Sequence, residues 1–440
     1  MDENFGRSMY EMADRLFPIC RSLTGEGVRQ TLSILKEVCP SMNVYEVPTG
    51  TIAFDWKVPK EWNIKEAWIK DSNGNIVVDF KTNNLHVVGY SAPVNQKVSL
   101  NELMKYIYTD TSQPDIIPYV TSYYEEKFGF CMSDNHKNSL KEDTYHMVID
   151  SELKDGSMTY GEILIPSTNI DETDGSNKEV FLSTYICHPS MANNELSGPC
   201  LAIYLAKWIR ELKNRRYNYR IIFIPETIGS ITYLSKNLDT MKKNIVAGFN
   251  ISCVGDSNTY SYVASRHGNT LADRTAKNIL KYYYPEFKRY SFLDRGSDER
   301  QYNAPGIDLP VCGICRSKYG EYPQYHTSAD NMNFISPEGL AGSFDVYVKC
   351  IEALENNYYY KTNFLCEPHL GKRGLYPATS RKGSVEKVRT MMDFMAYADG
   401  EKDLIEISDI IDVPLYEILP IVEELMNKEV VIRVQKFVLR

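Results

Sequence analysis

The sequence predicts an α/β protein in which helices cover a mixed sheet, with an inserted mostly β domain and a C-terminal winged-helix domain. From residue 179 onward, short apolar strands alternate with amphipathic helices, a pattern typical of a sheet with helices on both faces. Between about residues 44 and 165, short alternating segments are separated by turn signals. After residue 363, a connector rich in glycine, proline, serine and lysine precedes three helical patterns and a terminal β segment.

Length and charge limit the function classes. At 440 residues the chain is expected to form two or three domains. Its net charge of −9 gives no electrostatic reason to bind nucleic acid or an anionic membrane. The first residues lack the pattern of a signal peptide, and no apolar run approaches the ~20 residues that span a bilayer. We therefore expect a cytoplasmic protein whose ten cysteines are reduced.

The elements in chain order suggest domain boundaries. Residues 5–37 predict two amphipathic helices. Residues 66–80 predict a hairpin with Asn73-Gly74 at its tip, and residues 145–165 predict another with Asp155-Gly156 at the turn. The predicted units are an α/β core (1–46 and 166–362), an inserted β-rich domain (47–165) and a linker with a winged-helix-like domain (363–440).

The first candidate site residue is His188. The apolar run 180–187 predicts a buried strand that ends at this histidine and passes into a polar loop. After the loop, residues 197–199 (Ser-Gly-Pro) have the pattern of a helix start. Folds of this class bind ligands at such strand ends, although one histidine alone is a weak sign of a metal site.

Two further segments end in polar residues. Glu226 follows a predicted apolar strand, where it could act as a general base or lie in the first turn of a helix. His326 lies in a loop rich in tyrosine and proline, before the last predicted core helix, with Asp330 close in sequence. A neutral imidazole there could be a second metal ligand, oriented by the nearby carboxylate.

Four stretches together resemble a known family type: YICHPSMANNELSG, IIFIPETIGS, GFNISCVG and GSDERQY…YHTSADNM. In order and spacing they are similar to the motifs of zinc aminopeptidase and glutamate-carboxypeptidase-type metallopeptidases. More closely, the chain resembles a bacterial family of aminopeptidase-like proteins. In that family a β domain is inserted into the peptidase domain and a winged helix follows it.

The resemblance implies roles for three residues. His188 matches the first metal-binding histidine and His326 the last. Glu226 matches the catalytic acid that activates the attacking water. The implied activity is hydrolysis of peptide or small amide bonds with Zn²⁺.

The departures from the family pattern concern the metal. Asn194, Thr227 and Ser252 stand where the resemblance expects carboxylates. Two zinc ions close together need carboxylates to offset their repulsion, so one ion is predicted rather than two. We expect His188, Asn194 and His326 at ligand positions. The sequence leaves open which residue supplies a missing carboxylate; the candidates are Glu195, Asp298 and Asp330.

The winged-helix pattern does not predict DNA binding. Residues 381–440 carry nine basic and twelve acidic side chains, and the presumed recognition helix is strongly acidic. Phosphate contacts dominate DNA affinity, so this surface would repel DNA. A protein-interaction or dimerisation role is expected instead.

Three functions remain open from the sequence. The first is a hydrolase of the aminopeptidase type with one zinc ion. The second is a peptidase fold that has lost its metal and holds a ligand in the cleft between the core and the insert. The third, disfavoured by the charge of the winged helix, is a DNA-binding regulator.

Overall fold

The structure is a computed structural model that describes residues 4–123, 125–169, 177–375 and 382–434. The α-helices in these ranges are α1 (Asn4–Leu16), α2 (Glu26–Val38), α3 (Leu100–Leu103), α4 (Asp134–Ser139), α5 (Ser197–Glu211), α6 (Ile228–Asn244), α7 (Leu271–Tyr283), α8 (Glu299–Tyr302), α9 (Pro337–Glu355), α10 (Lys382–Tyr397), α11 (Leu404–Ile411) and α12 (Leu415–Asn427).

The strands are β1 (Asn43–Pro48), β2 (Ile52–Ala53), β3 (Trp56–Lys57), β4 (Glu61–Lys70), β5 (Ile76–Asp79), β6 (Val94–Ser99), β7 (Ile107–Tyr108), β8 (Phe130–Cys131), β9 (Thr144–Lys154), β10 (Ser157–Ile165), β11 (Glu179–Tyr185), β12 (Asn218–Ile224), β13 (Ile245–Asn250), β14 (Ser261–Val263), β15 (Lys288–Tyr290), β16 (Val311–Cys315), β17 (Tyr359–Thr362), β18 (Asp399–Asp403) and β19 (Val431–Val434).

The largest sheet has eight strands in the order β1-β10-β12-β11-β13-β16-β14-β15. Its central strand β11 runs parallel to β12 and β13, whereas β10 and β14 pair antiparallel with β12 and β16. Every residue of β11 is buried, as expected for a strand covered on both faces. The predicted mixed α/β sheet is therefore confirmed.

Helices cover both faces of this sheet. Val180 and Leu182 of β11 pack into a cluster that includes residues of α1, α2, α5 and α9. Phe181 and Tyr185 enter a second cluster with residues of α6. Because successive side chains of a strand point to opposite faces, these two clusters lie on opposite sides of the sheet.

A separate four-stranded sheet, in the order β5-β4-β9-β6, has its own hydrophobic cluster. Its β4–β5 hairpin confirms the turn predicted at Asn73-Gly74, where Gly74 has φ of +84°. A positive φ of this kind favours glycine, because the residue has no Cβ.

The hairpin predicted at Asp155-Gly156 is wrong. Strand β9 pairs with β4 and β6, whereas β10 pairs with β1 and β12 of the large sheet. The turn therefore carries the chain from one sheet to the other instead of joining two paired strands. Strand β10 lies within the range assigned to the insert, and the proposed domain boundaries stay a prediction.

The C-terminal unit is a winged helix built from α10, α11 and α12 with the sheet β18-β17-β19, which confirms the prediction. An ion pair joins this unit to the core: Nη2 of Arg274, in α7, lies 2.8 Å from Oδ2 of Asp403 in the winged helix. The Tyr416 hydroxyl of α12 hydrogen-bonds Glu352 of α9, so one side of α12 lies against the core. No helix among the described residues is both long and apolar enough to cross a bilayer.

Candidate metal centre

His188 lies three residues past the end of β11 and is 4% exposed. The chain then forms a wide π-type turn over Ala192–Leu196 before α5 begins at Ser197. The predicted strand, loop and helix start are thus confirmed. They place the imidazole at the carboxyl edge of the parallel strands, where α/β folds bind ligands.

One nitrogen of the His188 ring has a carboxylate partner. Nδ1 lies 3.0 Å from Glu195 Oε2, and Glu195 also lies 3.3 Å from the Arg21 guanidinium. Nε2 faces the Glu226 carboxylate at 3.8 Å. A hydrogen bond from Nδ1–H to Glu195 leaves the Nε2 lone pair directed to the side on which Glu226 lies.

Glu226 follows β12, the parallel neighbour of β11, and this adjacency brings the two predicted strand-end residues together. Its side chain is largely buried, and burial raises the pKa of its carboxyl group, opposed by the nearby His188 imidazole and Arg300 guanidinium. A carboxylate with a raised pKa is suited to take up and return a proton near neutral pH.

His326 lies close to His188. Its ring centre lies 5.5 Å from that of His188, and its ring stacks on Tyr325 at 3.9 Å. Its Nε2 is buried and has no hydrogen-bond partner among the described residues. Burial, with a smaller effect of His188, lowers the pKa of His326 to about 3, so the ring is neutral and can act as a ligand.

Asn194 also presents an unpaired oxygen. Its Oδ1 is buried and finds no partner within the described chain, whereas its Nδ2 donates to the Tyr185 hydroxyl at 2.7 Å. Its main-chain N–H donates to Asp330 Oδ2 at 2.9 Å. Buried polar atoms without partners are rare and require an explanation, such as a bound ion or water.

The three carboxylates that the sequence left open have different surroundings. Glu195 is bound by His188 and Arg21, as described above. Asp330 accepts the main-chain N–H groups of Asn193 and Asn194, which makes it a support for this turn. Asp298 accepts the Thr227 main-chain N–H at 2.8 Å, and its Oδ2 has no partner among the residues described.

Asp298 and Glu226 form a carboxyl pair in the site. Burial, followed by the negative charge of Glu226, raises the pKa of Asp298 to about 7. Arg300 hydrogen-bonds the Thr227 hydroxyl and is close enough to both acids to influence their pKa values. The resemblance expects a metal-binding glutamate at position 227. This chain has Thr227 there, and the Arg300 guanidinium donates to its hydroxyl.

The backbone around Thr227 is strained. Its φ of +66° is unusual for a β-branched residue. The hydrogen bond to Asp298 and the contact with Arg300 hold this conformation, directly after the catalytic candidate Glu226. Strained residues concentrate at functional sites, and here the strain fixes the direction in which the chain leaves Glu226.

The insert lies against the site through Tyr119, a residue that the sequence did not single out. The Tyr119 N–H donates to the His326 carbonyl at 2.8 Å, and the Tyr119 ring lies 5.5 Å from His188 and 5.1 Å from His326. The Tyr119 hydroxyl also hydrogen-bonds that of Tyr123. The only signal in the sequence was a tyrosine-rich stretch, which is more often a packing feature.

Two more side chains at the site were not predicted. Arg21 comes from the segment between α1 and α2, and its position beside Glu195 depends on the tertiary fold. Cys187 accepts the Glu226 main-chain N–H at 3.2 Å. A second possible set of metal ligands lies next to the first. It consists of Cys187, His188 and Glu195, whose ligand atoms are close enough together to hold one ion.

Comparison with known families agrees with this geometry. A family profile described as "Domain of unknown function (DUF4910)" matches residues 10–357, and one described as winged helix-turn-helix matches residues 357–433. The chain belongs to the DUF4910 family.

Two comparisons each find a match to this DUF4910 protein in Clostridium acetobutylicum. One is 46% identical over 372 residues, covering 84% of this chain and 83% of the relative. Its name provisionally assigns it to polysaccharide biosynthesis and gives it an aminopeptidase-like domain. The other is a crystal structure of a protein provisionally called a peptidase, with a TM-score of 0.91 at 41% identity, covering 98% of this chain and 97% of that one.

More distant structures share the fold alone. A zinc aminopeptidase from Bacillus subtilis has a TM-score of 0.58 at 11% identity, covering 79% of this chain and 94% of that one. A peptidase M28 precursor from Shewanella amazonensis has a TM-score of 0.56 at 12% identity, covering 83% and 97%. The zinc-aminopeptidase fold implied by the sequence motifs is thereby confirmed.

Proposed function

We propose that this DUF4910 protein is a hydrolase of peptide or related amide bonds that uses one zinc ion. The observation that carries the proposal is a pair of buried atoms without partners among the described residues, His326 Nε2 and Asn194 Oδ1. The His326 ring lies 5.5 Å from that of His188, and Asn194 hydrogen-bonds Tyr185, whose ring lies 5.1 Å from that of His188. Unpaired imidazole nitrogens and amide oxygens can donate electron pairs to a cation. These residues therefore fit a zinc ion, although an amide oxygen is a weaker ligand than a carboxylate.

The expected ligands are His188 through Nε2, His326 through Nε2 and Asn194 through Oδ1. When bound there, zinc would polarise the scissile carbonyl and make a water molecule more acidic. Glu226 would take the proton of the attacking water and later give it to the leaving amine, because its raised pKa favours both transfers. Tyr119 and Tyr325 would limit the space around the two histidines.

Support for one ion comes from the positions that a second ion would need. Thr227 and Ser252 are neutral, and the Arg300 guanidinium contacts Thr227. A second cation beside Thr227 would be repelled by the Arg300 guanidinium. Neither Thr227 nor Ser252 supplies a carboxylate that would offset this repulsion. Charge repulsion is strong in a partly desolvated site, which favours a single ion.

The names of the two Clostridium matches support a peptidase-like activity and also widen the range of substrates. One name refers to peptidases and the other to polysaccharide biosynthesis, so the scissile amide could belong to a peptide or to an acylated amino sugar. The alternative is a ligand-binding protein on a peptidase fold, which the neutral residues Asn194, Thr227 and Ser252 favour.

The test compares wild-type protein with Glu226→Gln, both loaded with zinc and assayed against unblocked peptides and N-acylated amino sugars. The variant should retain zinc and lose a factor of about 10²–10⁴ in turnover, because the carboxylate moves protons and is not a ligand. If zinc-loaded wild-type protein hydrolyses neither substrate class, the binding-protein alternative is favoured. Near-full turnover of the variant would show that Glu226 does not transfer protons in the reaction.

For the winged helix we propose a protein-binding role. Its acidic surface and the packing of α12 against α9 both oppose entry of α12 into a DNA groove.

A further inference from the structure

Arg21 and Glu195 form an ion pair whose side chains are both 0% exposed. Isolated buried charges are very costly, and a buried pair is tolerated only when further hydrogen bonds satisfy it. The pair therefore needs an explanation beyond stability, since a buried ion pair is itself weak support for a fold. Its two members come from distant parts of the chain, and both of them contact His188.

Both members of the pair bind His188. Glu195 Oε2 lies 3.0 Å from Nδ1 of the imidazole. Arg21 Nε donates to the His188 main-chain oxygen at 2.9 Å, and Arg21 Nη1 donates to the Leu16 carbonyl at the end of α1, also at 2.9 Å. The ring and the peptide of His188 are thus held from the side opposite Glu226.

From this arrangement we infer that Arg21 and Glu195 are positioning residues for His188. Glu195 keeps a proton on Nδ1 and so directs the Nε2 lone pair into the site, while Arg21, 3.3 Å from the other carboxylate oxygen, holds Glu195 in this orientation. The inference rests on the proposed function, because it assigns the support of one proposed zinc ligand. It also removes Glu195 from the candidate ligands.

The charges explain why Glu195 supports a ligand and does not bind the metal itself. One carboxylate oxygen faces His188 and the other lies 3.3 Å from the Arg21 guanidinium. An ion bound to Glu195 would have to displace His188 or approach a buried positive charge. Carboxylates that hydrogen-bond the second nitrogen of a ligand histidine fix its tautomer and orientation.

The substitution Glu195→Gln tests this directly. Arg21 can donate to the amide oxygen but not to the NH₂ group, so the substituted side chain would turn its NH₂ group towards His188. An NH₂ group facing Nδ1 requires that nitrogen to accept, and the ring proton must then move to Nε2. The lone pair would point away from the site, and zinc affinity should fall about 10–100-fold.

The measurement is ¹⁵N NMR of the imidazole rings in metal-free protein, at a pH high enough for the His188 ring to be neutral, with the His188 signals assigned by a His188→Gln variant. We expect a proton on Nδ1 in wild-type protein and its loss in Glu195→Gln. Zinc affinity is measured separately by competition with a chelator. The proton position does not depend on metal or turnover, so failure of this inference is distinguishable from failure of the proposed function.

Two controls separate positioning from general stability. Glu162 forms a comparable buried pair with Arg220 at 3.0 Å, away from His188, so Glu162→Gln should lower stability without moving the His188 proton or changing zinc affinity. Arg21→Lys retains a cation beside Glu195 and should keep most of the zinc affinity, whereas Arg21→Met removes the group that orients Glu195 and should lower the affinity. The inference is overturned if wild-type His188 lacks a proton on Nδ1, or if folded Glu195→Gln keeps both the proton and the affinity.

Discussion

Replacing Asn194 by aspartate should strengthen zinc binding. The substitution exchanges the NH₂ group for an oxygen with almost no change in volume, so packing is preserved. The buried Oδ1, which lacks a partner among the described residues, would become part of a carboxylate. The Tyr185 hydroxyl now accepts from Nδ2 at 2.7 Å, and it can rotate to donate to the new oxygen.

The size of the effect follows from the charges around Asn194. Its neighbours include Glu195 and Asp330, and Asp330 accepts its main-chain N–H at 2.9 Å. At an effective dielectric of about 20, two like charges repel by about 4 kcal/mol at about 4 Å and by less at larger separations. The metal-free variant should therefore be less stable, and zinc binding should relieve the repulsion. We expect zinc affinity to rise at least tenfold, about 1.4 kcal/mol.

The assay is isothermal titration calorimetry with zinc on wild-type protein, Asn194→Asp, Asn194→Ala and Tyr185→Phe. Affinity should rise in the aspartate variant and fall in the alanine variant. Tyr185→Phe removes the same hydrogen bond without adding charge, so its affinity should stay within about twofold of wild type. Equal affinities of wild-type protein and Asn194→Asp would show that Asn194 is not a ligand position.

Two other predictions concern stability and the winged helix. Burial of Glu61 is outweighed by its hydrogen bonds from Arg29 and Ser157, which lower its pKa to about 2. The pKa of Glu61 in the folded protein lies below its value of about 4.3 in the unfolded chain. The ionised carboxylate therefore stabilises the fold above about pH 4.3, and this contribution is lost as the pH falls towards 2. Glu61→Gln should lower stability at pH 7, and chemical denaturation should show a smaller difference from wild type near pH 3; a constant difference would contradict the assignment. At physiological salt, fluorescence anisotropy should show duplex DNA binding weaker than about 10⁻⁴ M, and tighter binding would contradict a protein-interaction role.

The strand ends of the site could be predicted from the sequence. The apolar runs before His188 and Glu226 define buried strands, and parallel neighbours present their carboxyl ends at the same edge. The family motifs added His326, whose loop returns to that edge with a ring centre 5.5 Å from that of His188. Local pattern and motif order were sufficient to predict that His188 lies close to Glu226 and His326 in the fold.

The remaining residues depend on contacts between distant segments. Arg21 and His188 are 167 positions apart, and no local pattern links them. Tyr119 reaches the site through a main-chain hydrogen bond between the insert and the His326 loop. The turn at Asp155-Gly156 was misread because turn residues specify a reversal of the chain, while strand pairing is decided by the sheets on either side.

Zinc content tests the central claim most directly. Wild-type protein purified without chelators should contain one equivalent of zinc by elemental analysis, because His188, Asn194 and His326 together can hold one ion. A His188→Ala, His326→Ala double variant, purified in parallel, should contain almost none. Less than about a tenth of an equivalent of any transition metal in folded wild-type protein would contradict the account and favour the metal-free binding protein.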